Sequence, residues 1–336
     1  MAETTSQVTR APASRGSGRI RRLTLDAGPL VALVVLVVVF AVASPTFLTL
    51  GNVSTLLTQI SILLVVGIGL TFVILLGSID LSVEGVMATS SLVFVLLATN
   101  DRNGFDLGYG AVVLGVLTGT AFGLLNGLLH VRLGIPSFMV TLGTGAIGLG
   151  VATVLFGGRA PQLLDAGLRQ WGVGSSFGIS NLVPVAGAAV VLAYLVQRYT
   201  RVGRYGYVIG GDEPVARLSG IPIGRYKVYT FILSGTTAGL AGVMAATQLG
   251  VGDTSIGGGL LFTAITAVVL GGTLLVGGRG SVLRTLIGAG IITVLANGLI
   301  LVGVNPYIQT AVQGLVIVLA VVASGWSLRR RVRVVK

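Results

Sequence analysis

Residues 109–131 read YGAVVLGVLTGTAFGLLNGLLHV, a stretch with no Asp, Glu, Lys or Arg, in which Gly115, Gly119, Gly123 and Gly127 recur at every fourth position. A bilayer core about 30 Å thick is crossed by about 20 mostly apolar helical residues, so the run has the length of a membrane span. It does not alternate apolar and polar residues, as a barrel strand of about 10 residues does. Four glycines at i+4 spacing share one helical face, where the missing side chains let a second backbone approach closely. That face predicts a packed helix neighbour; the competing explanation is the Gly/Ala/Val-rich composition of the chain.

The rest of the chain follows the same pattern. Of 336 residues, 53% are apolar and only 10% charged, and the mean hydropathy is +0.97. A soluble domain carries about 25% charge to solvate its surface, so a water-soluble fold is excluded. Uncharged apolar runs lie near 29–48, 53–76, 84–99, 109–131, 137–157, 182–199, 228–249, 259–277, 282–303 and 307–326. The expectation is an all-α polytopic membrane protein with about ten transmembrane helices. Cysteine is absent, which removes disulfides, thiolate metal sites and thiol nucleophiles. A single histidine, His130, argues against a multi-histidine metal site or a histidine triad, and no metal is expected.

A formal charge of +12 would suit a nucleic-acid binder in a soluble chain, but here it sorts by side. With the N-terminus in the cytoplasm, all 22 Lys and Arg fall on the inner side except Arg102, Arg159 and Arg169. Positive residues gather in cytoplasmic loops, so both termini are expected inside and no nucleic-acid partner is implied. The domain plan is a disordered basic tail over 1–27, a permease domain over 28–327 with a cytoplasmic loop at 200–227, and a basic tail over 328–336. Residues 29–43 also resemble a signal peptide, with Ala41-Val42-Ala43 as a cleavage site, and the charge test does not separate that reading from a retained first helix.

Segment 123–143 echoes segment 294–314 at an offset of 171 residues, pairing Asn126-Gly127 with Asn297-Gly298, Gly119 with Gly290 and Gly143 with Gly314. Two halves of five helices each would then be inverted relative to one another, a common transporter design. Coincidence is the alternative, since Pro136 and Pro306 miss the register by one.

Acidic residues are nearly absent from the spans. The exception is GSIDLSVEGVMATSS (77–91). Asp80 there reads as an N-cap and Glu84 as a first-turn acid favoured by the helix dipole. The other reading is a break between helices whose backbone groups face a polar solute. In the loop 200–227, Gly210-Gly211 breaks the chain, Asp212 or Glu213 can cap, and Pro214 suits a first helical position. Gly220 and Pro222 then end a helix of about two turns, either a solvated surface helix or a docking knob. Outside, PQLLDAGLRQW (161–171) reads as a short interfacial helix with Trp171 near the headgroups. His130 reads as a polar end residue of its span.

The chain resembles the permease subunits of ABC importers for ribose, xylose, galactose and related solutes. The resemblance is carried by Gly77 with Ile79-Asp80-Leu81-Ser82-Val83; by Asn126-Gly127 with Pro136, Phe138 and Thr141-Leu142-Gly143; and by GGDEPVARLSGI (210–221). Ser234-Gly235 with Ala238-Gly239-Leu240-Ala241-Gly242, Gly271-Gly272-Thr273 with GGRGSV (277–282), and Asn297-Gly298-Leu299 extend it. The family usually has Gly at the positions of Glu84 and Arg284 and Asn at that of Asp212.

The resemblance implies that 212–220 is a coupling helix for a cytoplasmic ABC ATPase, with Asp212, Glu213, Ala216, Arg217 and Gly220 as its residues. Asp80, Ser82, Glu84, Asn126, Thr141 and Asn297 are the solute-pathway candidates. It further implies a second permease subunit, a homodimer or heterodimer partner, and an extracytoplasmic solute-binding protein. The bilayer would be the plasma (inner) membrane of a prokaryote. No cofactor is expected on this chain, and ATP and Mg belong to the partner; no G-x-x-x-x-G-K-[ST] pattern occurs. The expected role is a transport subunit and not an enzyme. Alternatives are an ion-coupled secondary transporter and an ABC permease for branched-chain amino acids or nucleosides.

Overall fold

The structure, a computed structural model, describes residues 17–332; the remaining parts of the two expected tails lie outside the described residues. Among the described residues the chain is helical, with one minimal hairpin. The helices of the first half are α1 (Ser17–Ala43), α2 (Leu50–Leu75), α3 (Val83–Leu97), α4 (Tyr109–Leu133) and α5 (Ser137–Phe156). An outer excursion holds α6 (Ala166–Val173) and the two-residue strands β1 (Ser175–Ser176) and β2 (Ile179–Ser180). There follow α7 (Leu182–Tyr199), α8 (Arg201–Gly211), α9 (Glu213–Leu218), α10 (Ile223–Leu249), α11 (Leu260–Leu270), α12 (Val282–Leu301) and α13 (Pro306–Val332).

Among the described residues, six helices are long and apolar enough to cross a membrane: α2, α4, α5, α7, α10 and α12. Their ends are set by local chemistry. Thr49 caps α2 by accepting from Asn52 N, and Ser281 caps α12 by accepting from Arg284 N. Gly134, Gly157 and Gly250 stop α4, α5 and α10 in the left-handed conformation. Shorter apolar stretches lie at Gly28–Ala43, Val83–Leu97, Leu260–Leu270 and Pro306–Leu319.

α2 and α10 pack side by side at the centre, where 78% and 67% of their most apolar windows are buried. α3 and α4 lie on α10; α11 and α12 lie on α2. α5 packs on α3 and α13 on α11, while α1 covers α12 and α7 covers α2. The core runs through this arrangement, with Val65, Leu70, Val86, Met87, Phe94, Met244 and Val268 all closed off from solvent.

Two expectations need correction. The run 259–277 yields only the eleven-residue α11, because Gly271 sits against the Arg284 carbonyl and Gly272, at φ +95°, turns the chain out of the helix. Gly210-Gly211 does not break the inner loop; α8 runs through it. Gly210 is there for proximity, since a β-carbon would strike the Leu75 carbonyl oxygen and stand 2.6 Å from Gly278 N. The short helix expected over 161–171 forms as α6, and it is anchored on the bundle. Leu168 is buried, Trp171 packs against the main core, and Gly172 rests on the backbone of Thr247 at the end of α10.

Candidate functional site

The first candidate is the short helix α9. Asp212 accepts from Val215 N at 3.0 Å and so caps it, Pro214 occupies its first turn, and Gly220, at φ +75°, ends it. Ala216 is completely buried among Leu76, Ile209, Ile223 and Tyr226, which seats the inner side of the helix on α2, α8 and α10. The outer side is open: Leu218 is 89% exposed and Val215 53%. Glu213 ties α9 to α10 by accepting from Lys227 Nζ at 2.9 Å and holds Arg217 at 3.2 Å. Partial burial opposes ionisation of Glu213, but hydrogen bonding and attraction from Lys227, then from Arg217, outweigh it and hold the carboxyl below its ordinary range. A cleft of about 470 Å³ opens beside this joint, lined by His130, Glu213, Arg217, Ile221 and Lys227 among others. His130 ends α4 there, its Nδ1 donating to the Ile135 carbonyl at 2.6 Å and its ring edge-on to Phe231.

The second candidate is the break over 77–82, where the chain leaves α2 and has not yet entered α3. Non-helical backbone inside an apolar bundle must find internal partners. Ile79 N donates to Ser137 Oγ at 3.1 Å and Leu81 N to Thr141 Oγ1 at 2.9 Å, both at the start of α5. Asp80 is 1% exposed and is not the cap of α3, whose N-cap is Ser82. Its Oδ1 instead accepts from Ser82 N (2.9 Å) and Ser82 Oγ (2.6 Å), and its Oδ2 from Ser234 Oγ on α10 (2.7 Å). Asn126 of α4 donates to Ser82 Oγ at 2.9 Å and accepts from Thr144 Oγ1 of α5 at 2.5 Å. One connected polar network thus joins the break to α4, α5 and α10, and every donor named has its acceptor.

The remaining pathway candidates lie elsewhere. Glu84 points away from Asp80; its Oε1 accepts from Gly259 N at 3.0 Å and Leu261 N at 3.4 Å, at the N-terminus of α11. Asn297 of α12 exchanges two amide hydrogen bonds with Asn52 of α2, at 3.0 and 2.9 Å. Ser137, Thr144 and Ser234 belong to the network but were not among the pathway candidates, because an isolated hydroxyl in an apolar run carries no periodic signal; Ser234 entered only through the family resemblance.

The face bearing Gly115, Gly119, Gly123 and Gly127 lies along α10. A β-carbon on Gly119 would strike the Gly235 carbonyl oxygen and stand 2.7 Å from Gly239 Cα; one on Gly127 would stand 2.8 Å from Val228 Cα. Gly115 faces Val243 and, on α3, Phe94.

Apolar helices of spanning length, packed through glycine faces around a satisfied polar break, define a multi-pass membrane protein. The chain belongs to the branched-chain amino acid transport system / permease component family, whose model matches residues 52–321. Among curated relatives, it is 36% identical over 296 residues to the ribose import permease protein RbsC of Escherichia coli K12, covering 87% of this chain and 91% of that one. It is 38% identical over 300 residues to RbsC of Bacillus subtilis 168, covering 88% and 91%. The D-allose transport system permease protein AlsC of Escherichia coli K12 is 35% identical over 298 residues, covering 88% and 90%.

Proposed function

We propose that this chain is the membrane-spanning subunit of an ATP-binding-cassette importer of the prokaryotic inner membrane, moving a monosaccharide or similar small polar solute by alternating access. The observation that carries this is α9: a capped, internally anchored helix presenting Leu218 and Val215 outward on the side richest in positive charge. In this reading a cytoplasmic ATPase receives α9. Ala216 and the Glu213–Lys227 pair transmit its motion into α10, Asp212 caps and Gly220 ends the helix, and Arg217 steadies Glu213. ATP and Mg act on that partner. A second permease copy and an extracytoplasmic binding protein complete the assembly. Relatives whose names give ribose and allose support a sugar over a branched-chain amino acid.

The packing supports two inverted halves of five spans each, and the distribution of Lys and Arg supports both termini inside. α4 lies on α10 as α12 lies on α2, α3 on α10 as α11 on α2, and α5 on α3 as α13 on α11. Each half therefore contributes a long central helix, a break and a short helix, with its fourth helix packed on the other half's centre. Asp80, Ser82, Asn126 and Thr141 take a supporting role in the pathway, fixing the wall by holding the break in place, and Asn297 with Asn52 fixes α12 to α2.

The test is reconstitution in vesicles with the ATPase and binding protein. The expected result is ATP-dependent sugar uptake that vanishes without the ATPase. Uptake that persists without it and collapses with an ionophore would replace this reading by an ion-coupled carrier.

A further inference from the structure

The short helices α3 and α11 belong to different packing groups. α3 is surrounded by α4, α5 and α10, whereas α11 lies on α2, α12 and α13. The chain reaches α11 through residues 250–259, a non-helical stretch that runs along α3 from Leu92, beside Gly252, to Glu84, beside Gly257. Its backbone needs partners inside the bundle, and the first N–H groups of α11 have none within the helix. Glu84 supplies them. Its carboxylate lies in the first turn of α3 and accepts from Gly259 N and Leu261 N, so one negative charge serves the positive ends of two short helices.

A carboxylate within an apolar bundle is costly, so a neutral hydroxyl or amide cap would be the cheaper way merely to finish a helix. Gly258 and Gly259 are exposed and Glu84 is only partly buried, so the joint is reachable from outside the protein interior. Direct contact between α3 and α11 is otherwise sparse.

We propose that Glu84 is a positioning residue for translocation: its carboxylate latches the N-terminus of α11 to α3, and the transport cycle opens and recloses that latch. The second clause rests on the importer reading; the latch does not.

The experiment exploits the absence of native cysteine. Leu261 is 5% exposed, so the thiol of Leu261→Cys reacts with a maleimide when α11 lifts from α3. Added to the full-length purified chain, Glu84→Ala should raise the labelling rate about tenfold, the worth of a charge-assisted hydrogen bond. Glu84→Gln, which keeps one acceptor oxygen, should fall between. Sodium formate should slow labelling of Glu84→Ala by occupying the vacated N–H groups, while formamide should not. Equal labelling in all three backgrounds, or equal slowing by formate and formamide, overturns the latch. If Glu84→Ala does not fold, Glu84→Gln against the unsubstituted Glu84 background decides, a rate ratio of one again overturning it. In reconstituted importer, Glu84→Ala should raise ATP hydrolysis without solute and lower uptake. A latch present in labelling but without effect on coupling rejects the second clause alone, and ATP-independent uptake in the native assembly rejects the importer reading instead.

Discussion

The α4–α10 seam and the α3–α11 contact join neighbouring helices by opposite means. Along the seam, Gly119, Gly123, Gly235 and Gly239 bring backbone against backbone, and the hydroxyls of Thr120 and Thr236 add a hydrogen bond at 2.9 Å beside them. At α3–α11 the helices hardly touch, and a single carboxylate spans the gap. Between lipid-solvated helices there is little hydrophobic drive for association, so close van der Waals contact is what holds the seam and hydrogen bonding is what holds the joint. A close-packed seam has one arrangement. A joint made of two hydrogen bonds can be made and broken within a working cycle.

The largest expected effect tests the seam. Gly119→Leu must displace the α10 backbone, not the tip of a flexible side chain, and should cost about 3 kcal/mol or more. Purified protein should melt far lower in detergent or fail to insert, and an unchanged melting temperature would mean that α4 and α10 are not locked. Next comes Asp80→Ala, which strips the acceptor from Ser82 N, Ser82 Oγ and Ser234 Oγ in a buried site. Stranding those donors should cost about 3 kcal/mol, whereas Asp80→Asn, which keeps one oxygen and lets Ser234 accept, should cost about 1 kcal/mol. Equal melting of the two variants would show that the break does not depend on the network.

A smaller effect belongs to α9, which is fastened by a partly exposed ion pair. Because the folded-state carboxyl of Glu213 is held below its ordinary range, the stabilisation it gives is complete above the unfolded value and is lost only as pH falls through the lower folded value. A carboxyl NMR titration of selectively labelled protein should place its midpoint below that of a free glutamate. A midpoint at or above it would remove Lys227 as the anchor.

The two regions also differ in how much of them the sequence exposes to reading. Glycine at i+4 spacing is a one-dimensional pattern, so the α4 face was legible before its partner was known. The apolar runs likewise announced helices, and Asp212, Pro214 and Gly220 announced α9, because caps and stops are local. The extent of α11 was not legible. Gly271-Gly272 inside an apolar run looks like any membrane glycine, and only the Arg284 carbonyl beside Gly271 shows that the helix must end. Glu84 was visible as an anomaly, but its partners are backbone N–H groups 175 and 177 residues away, which leave no trace in composition. Asp80 misled for a related reason: a helix cap is the local solution, whereas Asp80 holds Ser82 with one oxygen and Ser234, far along the chain on α10, with the other.

The smallest effect comes from glycines that face nothing. On α5, β-carbons at Gly143 and Gly150 meet no atom within 4 Å, and Ile147 and Val154 on the same side are 57% and 81% exposed. Gly143→Leu should therefore leave the stability of the isolated subunit within about 0.5 kcal/mol of wild type, read as a nearly unchanged melting temperature, as surface substitutions do. That sets α5 against α4, where the same substitution at Gly119 should be ruinous. If Gly143→Leu is silent in the isolated chain but weakens the assembled importer, measured by the mass of the complex in detergent, then the α5 face is covered by a second protein subunit. If it is silent in both, lipid alone covers that face, and the glycines there reflect composition while those of α4 reflect packing.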